Sequence, residues 1–281
     1  MSVVREPAPA KLNLFLRVLE RRDDGYHEIE TLILPLTLAD GVEAAAADGL
    51  SATAAGPHAF GVPTGEDNLV VRAARALAEA CGIEPRARLL IAKNVPVAAG
   101  LGGGSADAAA ALRALNDLWD RGLSLDRLSE IGASVGSDVP ALVHGRAVLA
   151  RGRGELVEPF DCPRLWWVLV PRGGVRAADA YARWDERGET GPDPSDLLEA
   201  AASGDLDAIA GRVFNDLEAG AGPEVEEAKA ALLEAGALAA LMCGSGPSVA
   251  GLCRDGSHAE ELAAATGGVA VASVSGARKG R

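Results

Sequence analysis

The chain has 281 residues, 48% hydrophobic and 24% charged, with a formal net charge of −13: enough apolar surface for one large or two modest globular domains, and a charge that argues against nucleic acid or an anionic membrane as partner. No apolar run reaches about 18 residues without glycine breaks or charge, which leaves no membrane span. Cys81, Cys162, Cys243 and Cys253 form no CxxC pair and no histidine cluster accompanies them, so neither a zinc site nor a disulfide framework is expected, and the reading is a reduced, cytoplasmic protein.

Lys11–Leu19 (KLNLFLRVL) alternates as a strand, Arg21–Gly25 is a turn, and Glu28–Leu38 is a second strand. Lys11 and Asn13, two apart, share one strand face, opposite Leu12 and Leu14. Such a pair can bind a phosphate or orient a hydroxyl; it can also be an ordinary solvated face. Asn68–Cys81 has helical spacing and stops at Gly82, and Arg88–Lys93 is a further strand. Only four of the 27 basic residues are lysines: Lys11, Lys93, Lys229 and Lys279. A lysine inside a motif therefore draws notice, whereas Lys229 and Lys279 need no explanation beyond chance.

Pro96–Ser105 (PVAAGLGGGS) follows that strand and leads into a helix over Ser105–Asp120, with Ser105 as the expected cap and Asp107 as a favourable early charge. Glycines admit close backbone approach and positive φ, so successive N–H groups and the helix start can converge on an anion. The loop lacks the Gly-Lys-Ser/Thr of a Walker A motif and a clean GxGxxG fingerprint. The alternative is a tight turn without a ligand.

Leu125–Val135 reads as a short helix and Gly136–Pro140 (GSDVP) as a turn, since Val139 precedes proline. Asp138 there can accept a proton from an attacking hydroxyl, or can bond its own backbone. A break at Val157–Pro163 precedes strands at Trp166–Val170, Leu238–Met242, Val249–Cys253 and Val269–Val274, with helices at Glu224–Ala235 and His258–Ala265. Gly244–Pro247 (GSGP) is a second glycine loop or a plain turn. Two α+β domains, 1–158 and 159–281, are expected.

Taken together, PAKLNLFL (Pro9–Leu16), DGYH (Asp24–His27), EDNL (Glu66–Leu69), PVAAGLGGGSADAA (Pro96–Ala109), GSDVP and GSGP resemble the GHMP kinases over nearly the whole chain. DGYH is the discriminating piece and resembles the branch that acts on a cytidine-diphosphate-linked methylerythritol. The resemblance implies an N-terminal domain like the second domain of ribosomal protein S5 and a ferredoxin-like C-terminal domain. It also implies ATP as co-substrate with Mg²⁺, transfer of the γ-phosphoryl group to the substrate's 2-hydroxyl, a role in isoprenoid biosynthesis, and a monomer or homodimer.

By the same resemblance Asp138 is the catalytic base and Lys11 its partner, with Asn13 beside them on the substrate. The ATP loop is Pro96, Val97, Ala98, Ala99, Gly100, Leu101, Gly102, Gly103, Gly104, Ser105 and Ala106, with Asn68 and Lys93 near the nucleotide. Tyr26 and His27 hold the cytosine by stacking and hydrogen bonding. Tyr181 supplies the second face, in Ala177–Tyr181 (AADAY), where the family has Thr-Pro-x-x-Phe. Cys243 stands where Ser or Thr is usual. The rivals are a homoserine or mevalonate-type kinase, against which DGYH speaks; a silent relative, against which Lys11 and Asp138 speak; and an RNA-binding protein on the S5-like fold, against which the charge speaks.

Overall fold

A computed structural model describes residues 3–173 and 176–275; Lys279 lies outside the described residues. The molecule begins with two antiparallel strands of 19 residues, β1 (Val3–Arg21) and β2 (His27–Ala45), joined by a short turn in which Gly25 takes φ 85°. Both run well past their expected ends. β1 absorbs three register shifts, between Pro9/Lys11, Asn13/Phe15 and Val18/Glu20, and such shifts blur the two-residue alternation on which a strand is recognised.

β3 (Leu50–Ala55) pairs in parallel with β4 (Ala87–Ala92), and α1 (Leu69–Cys81) links them, capped by Asn68 and ended by Gly82 at φ 64°. α2 (Gly103–Leu118), α3 (Leu125–Gly132) and α4 (Val139–Val143) follow, then β5 (Val148–Gly152) and β6 (Leu156–Pro159). The turn expected at GSDVP is present, with Val139 N–H donating to Gly136 O at 3.2 Å, but it leads directly into α4, which takes in Val139 and Pro140. Pro140 falls in its first turn, where a missing N–H breaks no helical bond. Ala106, Ala108–Ala111 and Ala114 line the buried centre of α2, and their small side chains let it lie close over β1 and β2.

The second sheet starts at β7 (Trp166–Val170). After it come α5 (Ala177–Asp185), α6 (Ser195–Ser203), α7 (Leu206–Ala210), the two-residue β8 (Phe214–Asn215) and a 3₁₀ turn over Asp216–Gly220. α8 (Pro223–Glu234), β9 (Ala239–Met242), β10 (Val249–Cys253), α9 (Gly256–Thr266) and β11 (Val269–Ala272) finish the chain.

The larger sheet runs β3-β4-β2-β1-β8, with β5 also on β2 and β6 on β5. The smaller runs β11-β7-β10-β9, all antiparallel, which is the ferredoxin-like order. β8 returns to the first sheet, parallel to β1 at Phe15 and Leu16, so the two halves of the chain interlock. A shared core sets Leu12, Leu14 and Phe15 against Trp167, Leu169, Leu241 and Ala250. Burying each large side chain stabilises by about 1.5–3 kcal/mol, and an interface this apolar holds the two sheets in one fixed relation.

Candidate active site

The glycine loop is built where β4 hands over to α2. Gly100 (φ 75°) and Gly102 (φ 67°) take the left-handed backbone, and so does the non-glycine Ala98 (φ 54°). Gly102, not Ser105, is the residue preceding the first helical turn, and no side chain caps α2. Ser105 therefore sits inside the first turn, where its hydroxyl and the early N–H groups of the helix are left for an anion. The N–H of Ala106 already donates to Gly102 O at 2.9 Å, which takes it out of the set open to a ligand.

Two glycines answer to protein neighbours as well. A Cβ on Gly102 would stand 2.7 Å from Lys11 Cγ, and one on Gly100 would stand 2.1 Å from the carbonyl oxygen of Cys243, in the second glycine loop. A cavity of about 310 Å³ opens on this loop, lined by Asn68, Lys93, Asp107, Pro96–Ser105 and the apolar Val62, Pro63 and Leu69. Asn68 shapes its wall: Oδ1 accepts from Val70 N at 2.8 Å and Nδ2 donates to Pro63 O at 2.5 Å.

Lys93 is buried beneath the loop and donates to two carboxylates, Asp40 Oδ2 at 2.5 Å and Asp107 Oδ2 at 2.8 Å. Asp40 Oδ1 in turn accepts from Asn94 N and Val95 N, just before the loop. Burial alone would depress Lys93, but the charges and hydrogen bonds of Asp107 and Asp40 outweigh it and hold the ammonium above its ordinary value. Asp107 is raised to about 7, by burial first and then by the charge of Asp40, with Lys93 opposing. So Asp107 is a buried partner of Lys93 more than a helix-start charge. Sequence reading missed Asp40, whose one visible signal is an acid inside the apolar run LTLADGV.

Asp107 Oδ1 is buried and has no hydrogen-bond partner among the described residues. Ser105 also lines the loop cavity, but two apart on α2 the two side chains lie on different faces, and Asp107 Oδ2 is engaged by Lys93, so the Ser105 hydroxyl is the hard oxygen that suits a Mg²⁺ taking the rest of its shell from phosphate and water. Among the described residues no group of three or more His, Cys, Asp or Glu is set to hold an ion without such help.

Lys11 lies on β1, with its backbone N–H donating to Leu101 O at 2.9 Å in the glycine loop. Its buried ammonium donates to Asn13 Oδ1 at 2.7 Å and lies 3.7 Å from Asp138 Oδ2. Asn13 is held by Thr31 on β2 (Nδ2 to Oγ1, 2.8 Å), and Thr31 donates to Phe15 O at 2.5 Å. Thr31 was not legible as part of the site, because a threonine in a strand is unremarkable by itself. Asp138 flanks the start of α4 with its side chain 36% exposed, open enough to meet a substrate hydroxyl.

From Lys11 and Asp138 a cavity of about 540 Å³ runs to Tyr26, His27 and Tyr181, and Ser105 borders both it and the loop cavity. Of the residues singled out in the sequence, Lys11, Asn13, Asp138, Tyr26, His27 and Tyr181 thus share one space. Asn68, Lys93 and Pro96–Ser105 share the other, and buried Ala106 lines neither. His27 stacks on Tyr181 (4.8 Å, 20°) and meets the edge of Trp184 (5.6 Å, 88°). The Arg153 guanidinium lies 4.9 Å over the ring of Tyr26. Burial, and secondarily the charge of Asp138, raise the Tyr181 hydroxyl well above its ordinary value, so it stays a neutral phenol. Cys243 is fully buried, and burial pushes its thiol to about 12 against the opposing charge of Lys11; it packs as a small residue and is no reactive thiolate.

Residues 68–146 match the model described as GHMP kinases N terminal domain, and residues 194–277 the one described as GHMP kinases C terminal. The chain is 42% identical to a 4-diphosphocytidyl-2-C-methyl-D-erythritol kinase of Nocardia farcinica, over 97% of this chain and 93% of that protein. It is 45% identical to the enzyme of the same name from Pelotomaculum thermopropionicum, over 93% of each. A crystal structure of 4-(cytidine 5'-diphospho)-2C-methyl-D-erythritol kinase superposes with a TM-score of 0.79 at 35% identity, covering 97% of this chain and 99% of that one.

Proposed function

The chain belongs to the GHMP kinase family, and on that premise we propose that it transfers the γ-phosphoryl group of ATP to the 2-hydroxyl of 4-diphosphocytidyl-2-C-methyl-D-erythritol, in the methylerythritol phosphate route to terpenoid precursors. The observation that carries this reading is the single cavity with the Lys11–Asp138 pair at one end and Tyr26, His27 and Tyr181 at the other. Homoserine or mevalonate would leave the aromatic end without a use.

In this mechanism Asp138 accepts the proton of the 2-hydroxyl as the oxygen attacks the γ-phosphorus. A bond forms between that oxygen and phosphorus, the bond from phosphorus to the β–γ bridging oxygen breaks, and ADP leaves. Lys11, held by Asn13 and Thr31, keeps a fixed positive charge beside the carboxylate and the developing alkoxide. The loop from Pro96 to Ser105 binds the ATP phosphates through backbone N–H groups, with the nucleoside over Asn68 and the apolar wall. Bound Mg²⁺, met on the protein side by the Ser105 hydroxyl, would neutralise phosphate charge. At the far end Tyr26 and Tyr181 stack on the cytosine and His27 meets its edge.

We assign domains 1–158 and 159–281, supported by the end of β6 at Pro159, one residue past that boundary, and the start of β7 at Trp166; β8 and the Leu36–Ser273 bridge tie the second domain back to the first sheet. A cytoplasmic monomer or homodimer with no nucleic-acid partner fits four free cysteines, the acidic charge and the lack, among the described residues, of a helix long and apolar enough to cross a membrane. ADP release by the purified protein, assayed in parallel with the diphosphocytidyl substrate, homoserine and mevalonate, tests the function. Turnover with either rival above that with the diphosphocytidyl compound would overturn it.

A further inference from the structure

We infer that Asp185 is a positioning residue that sets the tautomer of His27 and thereby makes the enzyme prefer a cytidyl over a uridyl substrate. The inference rests on the proposed reading that this end of the cavity holds the pyrimidine.

α5 presents one face to the cavity, Ala177 and Ala178, then Tyr181 and Ala182, then Asp185, the spacing of one helical stripe. Asp185 is the carboxylate of that stripe, and its Oδ1 lies 2.6 Å from His27 Nε2. An ionised carboxylate only accepts hydrogen bonds, so the proton of the contact sits on Nε2. In the neutral ring Nδ1 then carries a lone pair and only accepts. Nothing else competes for that atom: no hydrogen bond to Nδ1 occurs among the described residues, and Nδ1 is not among the buried atoms sealed without a partner. The ring cannot turn away, because Tyr181 covers its face and Trp184 its edge. Arg21 stands 3.6 Å from Asp185 Oδ2 and shares the charge of the carboxylate.

The two pyrimidines differ at position 4, where cytosine has an amine that donates and uracil a carbonyl that accepts. A bare Nδ1 pairs with the amine and faces the carbonyl lone pair to lone pair. Reversing the tautomer would reverse that preference. Asp185 touches no base in this account. It acts through His27, 158 positions away in the chain.

The test is the ratio of kcat/KM for the cytidyl and uridyl forms of the substrate in wild type, Asp185→Asn and Asp185→Ala, beside ¹⁵N NMR of the His27 ring in the wild-type protein. We expect the Nε2–H tautomer in wild type. The cytidyl/uridyl ratio should fall about 10-fold or more in both variants, since a mismatched polar contact in a buried site costs roughly that. The loss should come from a raised KM for the cytidyl form, with kcat changed little. A ratio within about twofold of wild type in Asp185→Asn, or an Nδ1–H or doubly protonated His27 in wild type, overturns the inference while leaving the kinase reading intact. The NMR measurement needs no variant to fold. Absence of turnover on the cytidyl substrate by wild type would overturn the function itself, and this inference with it.

Discussion

The carbonyl oxygen of Cys243 lies where the side chain of Gly100 would begin: a Cβ there would stand 2.1 Å from it. The phosphate loop and the second glycine loop, from opposite halves of the chain, are thus locked together by a missing methyl group. Gly100 also holds φ 75°, which disfavours any other residue. Gly100→Ala should lower stability by about 1–3 kcal/mol, the usual cost of overpacking, and weaken ATP binding, because the loops must part. A melting curve and calorimetry with an ATP analogue check both. Unchanged affinity would mean that the loop binds no phosphate in this conformation.

Asp138→Asn should lower kcat by more than about 10²-fold, the low end of a general-base contribution. ATP affinity should hold, since Asp138 does not line the loop cavity. The amide keeps the shape of the carboxylate but cannot take the proton. Near-normal turnover in the folded variant would remove Asp138 from the reaction.

The Asp40–Lys93–Asp107 cluster predicts a pH dependence of stability. Burial and the charge of Asp40 raise Asp107 from 3.8 to about 7. Between those values the folded protein holds a proton that the unfolded chain has lost, so this contribution is full below about pH 4 and lost as pH rises towards 7. The raised Lys93 acts only above its ordinary 10.5, outside that window. Asp107→Asn should flatten the change in unfolding free energy between pH 5 and pH 7.5, measured by urea titration. Equal slopes for wild type and variant would show that Asp107 is ionised throughout.

Tyr181→Ala should raise the KM of the cytidyl substrate roughly 5- to 150-fold, since stacking on a base is worth about 1–3 kcal/mol. The ATP KM should stay within about twofold, because Tyr181 lines a different cavity from the glycine loop. Some thermal stability should be lost as well, since His27 stacks on Tyr181. Lost stability with an unaltered substrate KM would reduce Tyr181 to a packing residue of α5.

Features that depend on neighbours in sequence were legible from the sequence alone. The strands Trp166–Val170 and Val249–Cys253 fell where short apolar runs between breakers put them, and α1 ended at Gly82 because only a residue free of Cβ strain stops a helix that way. Lys11 and Asn13 share a face because alternation is a property of the strand itself, and they hydrogen-bond at 2.7 Å. Tertiary structure alone decided what depends on distant packing. Asp40 meets Lys93 across 53 positions, and His27 meets Asp185 across 158. The two-residue strand at Phe214–Asn215 exists only because β1 offers it an edge. No periodicity encodes such meetings. A buried charge takes whichever partner the fold brings within about 3 Å, because leaving it unpaired costs several kcal/mol.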